Sequence, residues 1–130
     1  MSAVDLVVAA ALESWSERAQ RAVFYARAVC KGKGYALGVH GTFRQDIDIV
    51  AVPWTEKAVA PDVLACAILD ALVKWRIALG WDSSGTDGTA KPHGRHAWGI
   101  VLAGEPFMYL DLSVMPRAAE RTATLNKVET

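Results

Sequence analysis

Two aspartates separated by one residue, Asp46 and Asp48, are the first candidates for chemistry in this chain. Successive side chains of a β-strand point to opposite faces, so these carboxylates share one face while Ile47 and Ile49 occupy the other. Carboxylates about 6–7 Å apart along a strand repel each other, and a bound cation relieves the repulsion. The spacing therefore predicts a Mg²⁺ site, with a polar strand edge as the alternative.

A third carboxylate, Asp111, has a similar setting nearer the end of the chain. It alternates with apolar residues in the segment 107–114, as on a strand with one buried face. If that strand lies beside the strand of Asp46 and Asp48, the three carboxylates can hold two divalent ions about 3.5–4 Å apart. The three aspartates are therefore the candidate catalytic and metal-binding residues. The alternative for Asp111 is a hydrogen bond to a neighbouring backbone N–H.

A cationic loop, Lys91-Pro92-His93-Gly94-Arg95-His96, is the best candidate for an anion site. Lysine binds phosphate as a point charge and arginine binds it as a fork. The glycine lets the backbone approach a ligand closely, and the histidines can donate hydrogen bonds or act in acid–base chemistry. The alternative is a solvated basic loop.

Residues next to these segments complete the candidate ligand site. His40 is expected to point toward the carboxylates or to fill a strand edge. Trp54 lies beside a loop, where an indole can stack on a base. Arg44 lies at the expected tip of a hairpin, where it can contact a ligand or a partner chain. The candidate ligand-binding residues are His40, Thr42, Arg44, Asp46, Asp48, Trp54, Lys91, His93, Arg95 and His96.

Two helices and two hairpins are the elements that must position these residues. Apolar residues recur at spacings of three and four along Val4–Cys30 and Pro61–Leu79, which predicts the helices. Alternating segments bounded by turn residues predict the hairpins. The order predicts an α+β domain whose two main helices cover a small antiparallel or mixed sheet. The predicted hairpin strands are Tyr35–His40 with Asp46–Val52, and Ala97–Leu102 with Phe107–Val114.

Length and composition predict one domain over residues 1–116, followed by a polar tail over 117–130. The chain has 130 residues, of which 52% are hydrophobic, so it can bury a core. Its 14 basic and 14 acidic residues give no net charge, which argues against a duplex nucleic-acid binder. The apolar N-terminal segment lacks a basic leader and is too short for a membrane span, so we expect a cytoplasmic protein without a membrane partner. The apolar N-terminal helix could serve a homo-oligomer.

Five side chains are expected in the core because of their type and position. Trp15 and Trp75 match apolar helical stripes, and Trp98 matches a strand face. Cys30 and Cys66 fit no metal-ligand spacing, and we expect them to be buried thiols in a reducing compartment.

The aspartates and the glycine pair before them resemble the nucleotidyltransferase signature. In that signature a Gly-Ser or Gly-Gly pair precedes Asp-x-Asp on the next strand, and a third carboxylate lies on a later strand. Gly41-Thr42, Asp46, Asp48 and Asp111 fill these places in order. The resemblance implies a minimal nucleotidyltransferase-like fold. Only three residues separate the glycine pair from Asp46, fewer than in the family, where this segment helps to cradle the triphosphate.

A second resemblance covers about half of the chain and is to small proteins encoded by bacteriophages and prophages. Phages encode small proteins that sequester or destroy the nucleotide signals of bacterial immunity, and the resemblance implies such a role by analogy. It would place the protein in the host-cell cytoplasm. The similar segments are His40-Gly41-Thr42, Asp46-Ile47-Asp48, Ala51-Val52-Pro53-Trp54, Lys91-Pro92-His93-Gly94-Arg95 and Asp111-Leu112-Ser113-Val114-Met115-Pro116.

These observations support three hypotheses from different functional classes. The first is non-catalytic capture of a nucleotide or nucleotide-derived signal, an anti-defence sequestration that requires no cofactor. The second is a nucleotidyltransferase or phosphodiesterase that uses Asp46, Asp48 and Asp111 with Mg²⁺ or Mn²⁺. The third is a protein-binding phage accessory whose acidic pair forms salt bridges to a host factor. The short connection before Asp46 favours capture over transfer.

Overall fold

A mixed β-sheet with both long helices packed on one face forms the body of the protein. The computed structural model describes residues 17–40 and 46–122. The chain is also helical over residues 118–122. The elements are, in order, helix α1 (Glu17–Gly32), strands β1 (Tyr35–His40) and β2 (Asp46–Pro53), helix α2 (Pro61–Lys74), strands β3 (Ala78–Trp81) and β4 (Thr89–Ala90), a 3₁₀ turn (Pro92–Gly94), and strands β5 (His96–Leu102) and β6 (Tyr109–Val114).

The two predicted hairpins lie side by side in the sheet. The strand order is β1-β2-β6-β5-β3, and β4 pairs with β5 outside this path. β1 pairs with β2 and β5 pairs with β6 in antiparallel fashion, whereas β2 and β6 are parallel. The predicted α+β fold is therefore confirmed, and the sheet is of the mixed type.

The core lies between the sheet and the two helices. Ile47, Ile49, Leu110 and Leu112 are fully buried, and each alternates with a polar or less buried residue along its strand. Small and medium-sized side chains of α1 and mostly large side chains of α2 complete this layer. The buried helix residues are Ala19, Ala22, Val23, Ala26 and Cys30 in α1, and Leu64, Ala65, Ile68 and Leu72 in α2.

The prediction that one helix runs from Pro61 to Leu79 is wrong at its C-terminal end. The helix ends at Lys74, and Ala78–Trp81 forms β3, which pairs with β5. Arg76 adopts a left-handed conformation with φ of 59°. Its N–H donates to Val73 O and the N–H of Ile77 donates to Leu72 O, which is the hydrogen-bond pattern of a Schellman motif. An arginine occupies the position where glycine normally signals this stop.

Two of the five expected core residues are instead accessible, and Trp15 lies outside the described residues. Trp75 is 49% exposed and stacks on Tyr25 with ring centroids 5.6 Å apart, because it caps α2 instead of facing the sheet. Cys66 lies on the exposed side of α2. Trp98 and Cys30 are buried as predicted, and burial raises the pKa of the Cys30 thiol to about 12.

Several predictions fall outside the described residues. They concern Thr42, Arg44, the helical segment before Glu17 and the tail beyond Thr122. The first part of the predicted tail contacts the domain, since Arg117 donates from Nη1 to Ala58 O at 3.2 Å. Within the described ranges, no helix has the length and apolar character needed to cross a membrane.

Ile68→Ala tests the packing of α2 on the sheet. Ile68 is fully buried, so its truncation leaves a cavity and should lower the free energy of unfolding by about 2–5 kcal/mol. Urea denaturation measures the loss. Val63→Ala is the matched control, since Val63 is exposed on the same helix and its truncation should change stability by less than about 0.5 kcal/mol. Equal losses in the two variants would contradict this packing.

Candidate functional site

The parallel pairing of β2 and β6 brings the three predicted aspartates onto one face of the sheet. Asp48 pairs with Asp111, and Asp46 pairs with Tyr109. Paired residues on neighbouring strands share a face, and the strands lie about 4.8 Å apart. This is the face opposite the helices, hereafter the carboxylate face. The antiparallel partner of Asp48 on β1 is His40, so this exposed histidine lies on the edge strand next to the strand of the carboxylates.

Burial and neighbouring charges act together on the carboxylate of Asp111. Asp111 is half-buried, and burial is the largest cause that raises its pKa. Repulsion from Asp48 raises this pKa further and Asp46 adds to it, whereas Lys91 and Arg95 lower it. The ionised form of Asp111 is therefore disfavoured, and a ligand that supplies positive charge or hydrogen-bond donors would stabilise it.

Tyr109 experiences the same negative field. Burial raises the pKa of its phenol, followed by the charges of Asp46, Asp111 and Asp48. A fourth carboxylate, Asp82, also raises this pKa. Tyr109 therefore lies within electrostatic reach of four carboxylates on this side of the molecule.

A polar cavity of about 370 Å³ lies beside Asp111 on the carboxylate face. Two of its cationic side chains come from the predicted anion loop. Arg95 donates from Nη1 to Ser113 Oγ at 2.9 Å, which holds its guanidinium against β6. The side chains that the cavity brings together include Asp82, Ser84, Lys91, Arg95, Tyr109 and Asp111. Two of the predicted cationic residues and one of the predicted carboxylates thus line the same cavity.

Asp82 is the functional candidate that sequence reasoning missed. It follows β3, and its carboxylate lies over Gly99 of β5, so closely that a Cβ at position 99 would collide with it. Gly99 pairs with Asp111 in the β5–β6 register. The glycine therefore leaves the space through which a fourth carboxylate reaches the site. A glycine inside a strand often marks such a close approach, and it was the available signal.

Trp54 and His93 do not join this site. Both line a separate groove of about 730 Å³ with Met115 and Arg121, hereafter the Trp54 groove. Trp54 is 79% exposed and follows the end of β2, six residues after Asp48, a separation of about 20 Å in an extended chain. An indole at that distance does not share a site with the carboxylate of Asp48.

His96 also lies apart from the carboxylate face. It pairs with Val114, whose side chain is buried on the helix side of the sheet. Its Nε2 lies 2.6 Å from Asp87 O, and its ring centroid is 4.5 Å from that of Trp98. His96 therefore packs against Trp98 and the loop at Asp87, away from Lys91 and Arg95.

The metal hypothesis stays a prediction at this point. Over residues 17–40 and 46–122, no group of three or more His, Cys, Asp or Glu side chains is arranged so that it could hold a metal ion. Asp46, Asp48 and Asp111 nevertheless share the face, and they are the oxygen donors that Mg²⁺ prefers.

Comparison with known proteins adds no family to this description. No protein-family model matches the chain, and no curated protein gives a significant match.

Asp111→Asn should stabilise the protein at neutral pH. The pKa of Asp111 is higher in the folded protein than in the unfolded chain, where it is about 4. Its ionised form therefore costs stability above that pH, and the cost disappears as pH falls below it. We expect the variant to unfold at a higher urea concentration than the parent at pH 7, with the advantage shrinking toward pH 4.

Asp70→Asn is the control for this prediction, because Asp70 is exposed on α2. It should show no comparable gain. A parent that is more stable than Asp111→Asn at pH 7 would contradict the repulsion described for the carboxylate face.

Proposed function

We propose that the carboxylate face binds a nucleotide or a nucleotide-derived molecule and holds it without converting it. The observation that supports this proposal best is the polar cavity in which Lys91 and Arg95 lie beside Asp111. A nucleotide carries anionic phosphate together with neutral hydroxyl and amine donors. Its phosphate can therefore bind the cationic side chains of this cavity, and its donors can bind the carboxylates.

Lys91 and Arg95 are the phosphate ligands in this proposal. Both belong to the short turn that precedes β5, and Lys91 N donates to Arg95 O at 2.8 Å, which closes the turn. The Ser113 contact orients the guanidinium of Arg95, so less conformational entropy is lost when it binds an anion. The turn thus carries both a guanidinium fork and an ammonium point charge to the same cavity.

The charge balance restricts which anions can bind. Among the described residues, the aspartates at positions 46, 48, 82 and 111 face only two cationic side chains, those of Lys91 and Arg95. A bare phosphate would therefore meet net repulsion. The bound molecule must supply hydrogen-bond donors to the carboxylates or bring a divalent cation with its phosphates, and Asp46 and Asp48 are placed for either role.

Capture, as opposed to transfer, is favoured by the short connection between β1 and β2. Five residues, 41–45, join the two strands, and the resemblance to nucleotidyltransferases implies a longer segment that cradles a triphosphate. In a phage protein, such binding would sequester a nucleotide signal of bacterial immunity.

Metal-dependent phosphoryl transfer is the second candidate, and the β2–β6 register favours it. Asp48 lies beside Asp111, with Asp46 two residues earlier on the same face. In a two-metal site these three carboxylates would hold the ions that stabilise the attacking and leaving oxygens. The two candidates share the binding face and differ in the fate of the ligand.

Thermal denaturation with a ligand panel tests the proposed binding. The panel comprises nucleoside mono-, di- and triphosphates, cyclic nucleotides and ADP-ribose, each with and without Mg²⁺. Binding to the native state stabilises it by about 2.7 kcal/mol at a ligand concentration one hundred times the dissociation constant. We expect one class of nucleotide to raise the melting temperature, and Arg95→Gln and Lys91→Gln to reduce that shift.

Trp54→Phe and Arg121→Gln are the controls for this panel, since both alter the Trp54 groove and leave the cavity intact. They should keep the full shift. If the shift in melting temperature survives in Arg95→Gln and is lost in Trp54→Phe, the nucleotide binds in the Trp54 groove and the proposal is contradicted. The absence of a shift with any nucleotide would favour a protein-binding accessory.

The fate of the bound nucleotide separates the two candidates. Capture predicts that the molecule is recovered intact after incubation with protein and Mg²⁺ or Mn²⁺, as chromatography of the extracted ligand would show. A converted ligand would overturn capture. In that case Asp48→Asn should abolish turnover while its unfolding transition is retained, because the variant keeps the shape of the side chain and loses the charge that binds metal.

A further inference from the structure

One oxygen of the Asp82 carboxylate is held in place and the other is presented to the cavity. Oδ1 accepts a hydrogen bond from Ser84 N at 2.9 Å and another from the Ser84 hydroxyl. Asp82 N in turn donates to Gly99 O at 2.8 Å, which anchors the residue to β5. Oδ2 lies over Gly99 and accepts no hydrogen bond from any described residue.

Oδ2 therefore lies on the same face of the sheet as a second carboxylate. It lies over Gly99 of β5, and Gly99 is the cross-strand partner of Asp111 on β6. Both line the polar cavity, and the cationic side chains of Lys91 and Arg95 line it as well. The cavity thus presents carboxylates that accept hydrogen bonds together with cations that attract negative charge.

We infer that this cavity takes a ribose 5′-phosphate unit, with Asp82 and Asp111 accepting hydrogen bonds from the 2′- and 3′-hydroxyls. Lys91 and Arg95 hold the 5′-phosphate. A vicinal diol supplies two neutral donors side by side, and it relieves the carboxylate pair without a change of net charge. This inference rests on the proposed nucleotide binding and names the class of ligand, namely ribonucleotides.

The dimensions of the cavity agree with a single unit. Ligand sites generally span about 300–1,000 Å³, and this cavity lies near the lower end at about 370 Å³. A second nucleotide would have to extend along the carboxylate face toward Asp46 and Asp48. Discrimination should therefore depend on the sugar that occupies the cavity.

Calorimetric titration with matched pairs of ligands tests the inference. A ribonucleotide selected by the thermal panel is compared with its 2′-deoxy and 3′-deoxy forms. A lost hydrogen bond to a charged acceptor corresponds to roughly ten- to hundredfold weaker binding, and we expect that loss for at least one deoxy form. Equal affinity for all three forms would overturn the inference and leave the proposed function standing. If no nucleotide binds at all, both fail.

Variants of Asp82 make the test specific. Asp82→Asn keeps an acceptor for Ser84 and removes a carboxylate, so it should bind the ribose and deoxy forms with affinities that differ less than in the parent. Gly99→Ala should have the same effect, because its methyl group would occupy the position of Oδ2 and displace the carboxylate. Far-ultraviolet circular dichroism and the melting temperature establish that each variant is folded.

Asp87→Asn is the matched control, since Asp87 is exposed in the same loop and does not line this cavity. It should retain the discrimination of the parent. If Asp82→Asn and Gly99→Ala are folded and both discriminate as strongly as the parent, Asp82 does not contact the sugar and the inference is overturned.

Discussion

The register between β2 and β6 is the constraint on which the rest of the site depends. Ile49 lies beside Leu112 in the core, and the same pairing sets Asp48 beside Asp111 on the opposite face. A slip of one residue would turn the carboxylates into the core and the apolar side chains toward water. Burial of the apolar faces therefore determines where the acids meet. The repulsion between the acids destabilises the fold, and the packing of the core offsets it.

That repulsion is also the physical basis of the proposed ligand binding. Asp111 is destabilised by its burial and by Asp48, and Lys91 and Arg95 compensate for it only in part. Asp82 adds a further charge through the gap at Gly99. A molecule that brings donors to the acids and phosphate to the cations removes both imbalances at once. The proposed function and the ribose inference follow from this one electrostatic arrangement.

The alternation of apolar and polar residues is enough to predict both hairpins, the α+β class and the shared face of the aspartates. Three features are not predicted by this alternation, and the geometry around each one explains why. β3 is hidden because Arg76, in place of a glycine, makes the left-handed turn that ends α2. Asp82 enters the site through the tertiary pairing of Gly99. His93 would share a face with its neighbours at positions 91 and 95 in an extended chain, but its φ of 66° turns it into the Trp54 groove.

The most direct test of the central claim is to map the bound ligand residue by residue. Nuclear magnetic resonance spectra of isotopically labelled protein would be recorded during titration with a ribonucleotide and Mg²⁺. We expect amide resonances to shift along the carboxylate face, at Asp48, Arg95, Gly99 and Asp111. Shifts confined to the Trp54 groove, or no shifts at saturating nucleotide, would contradict it.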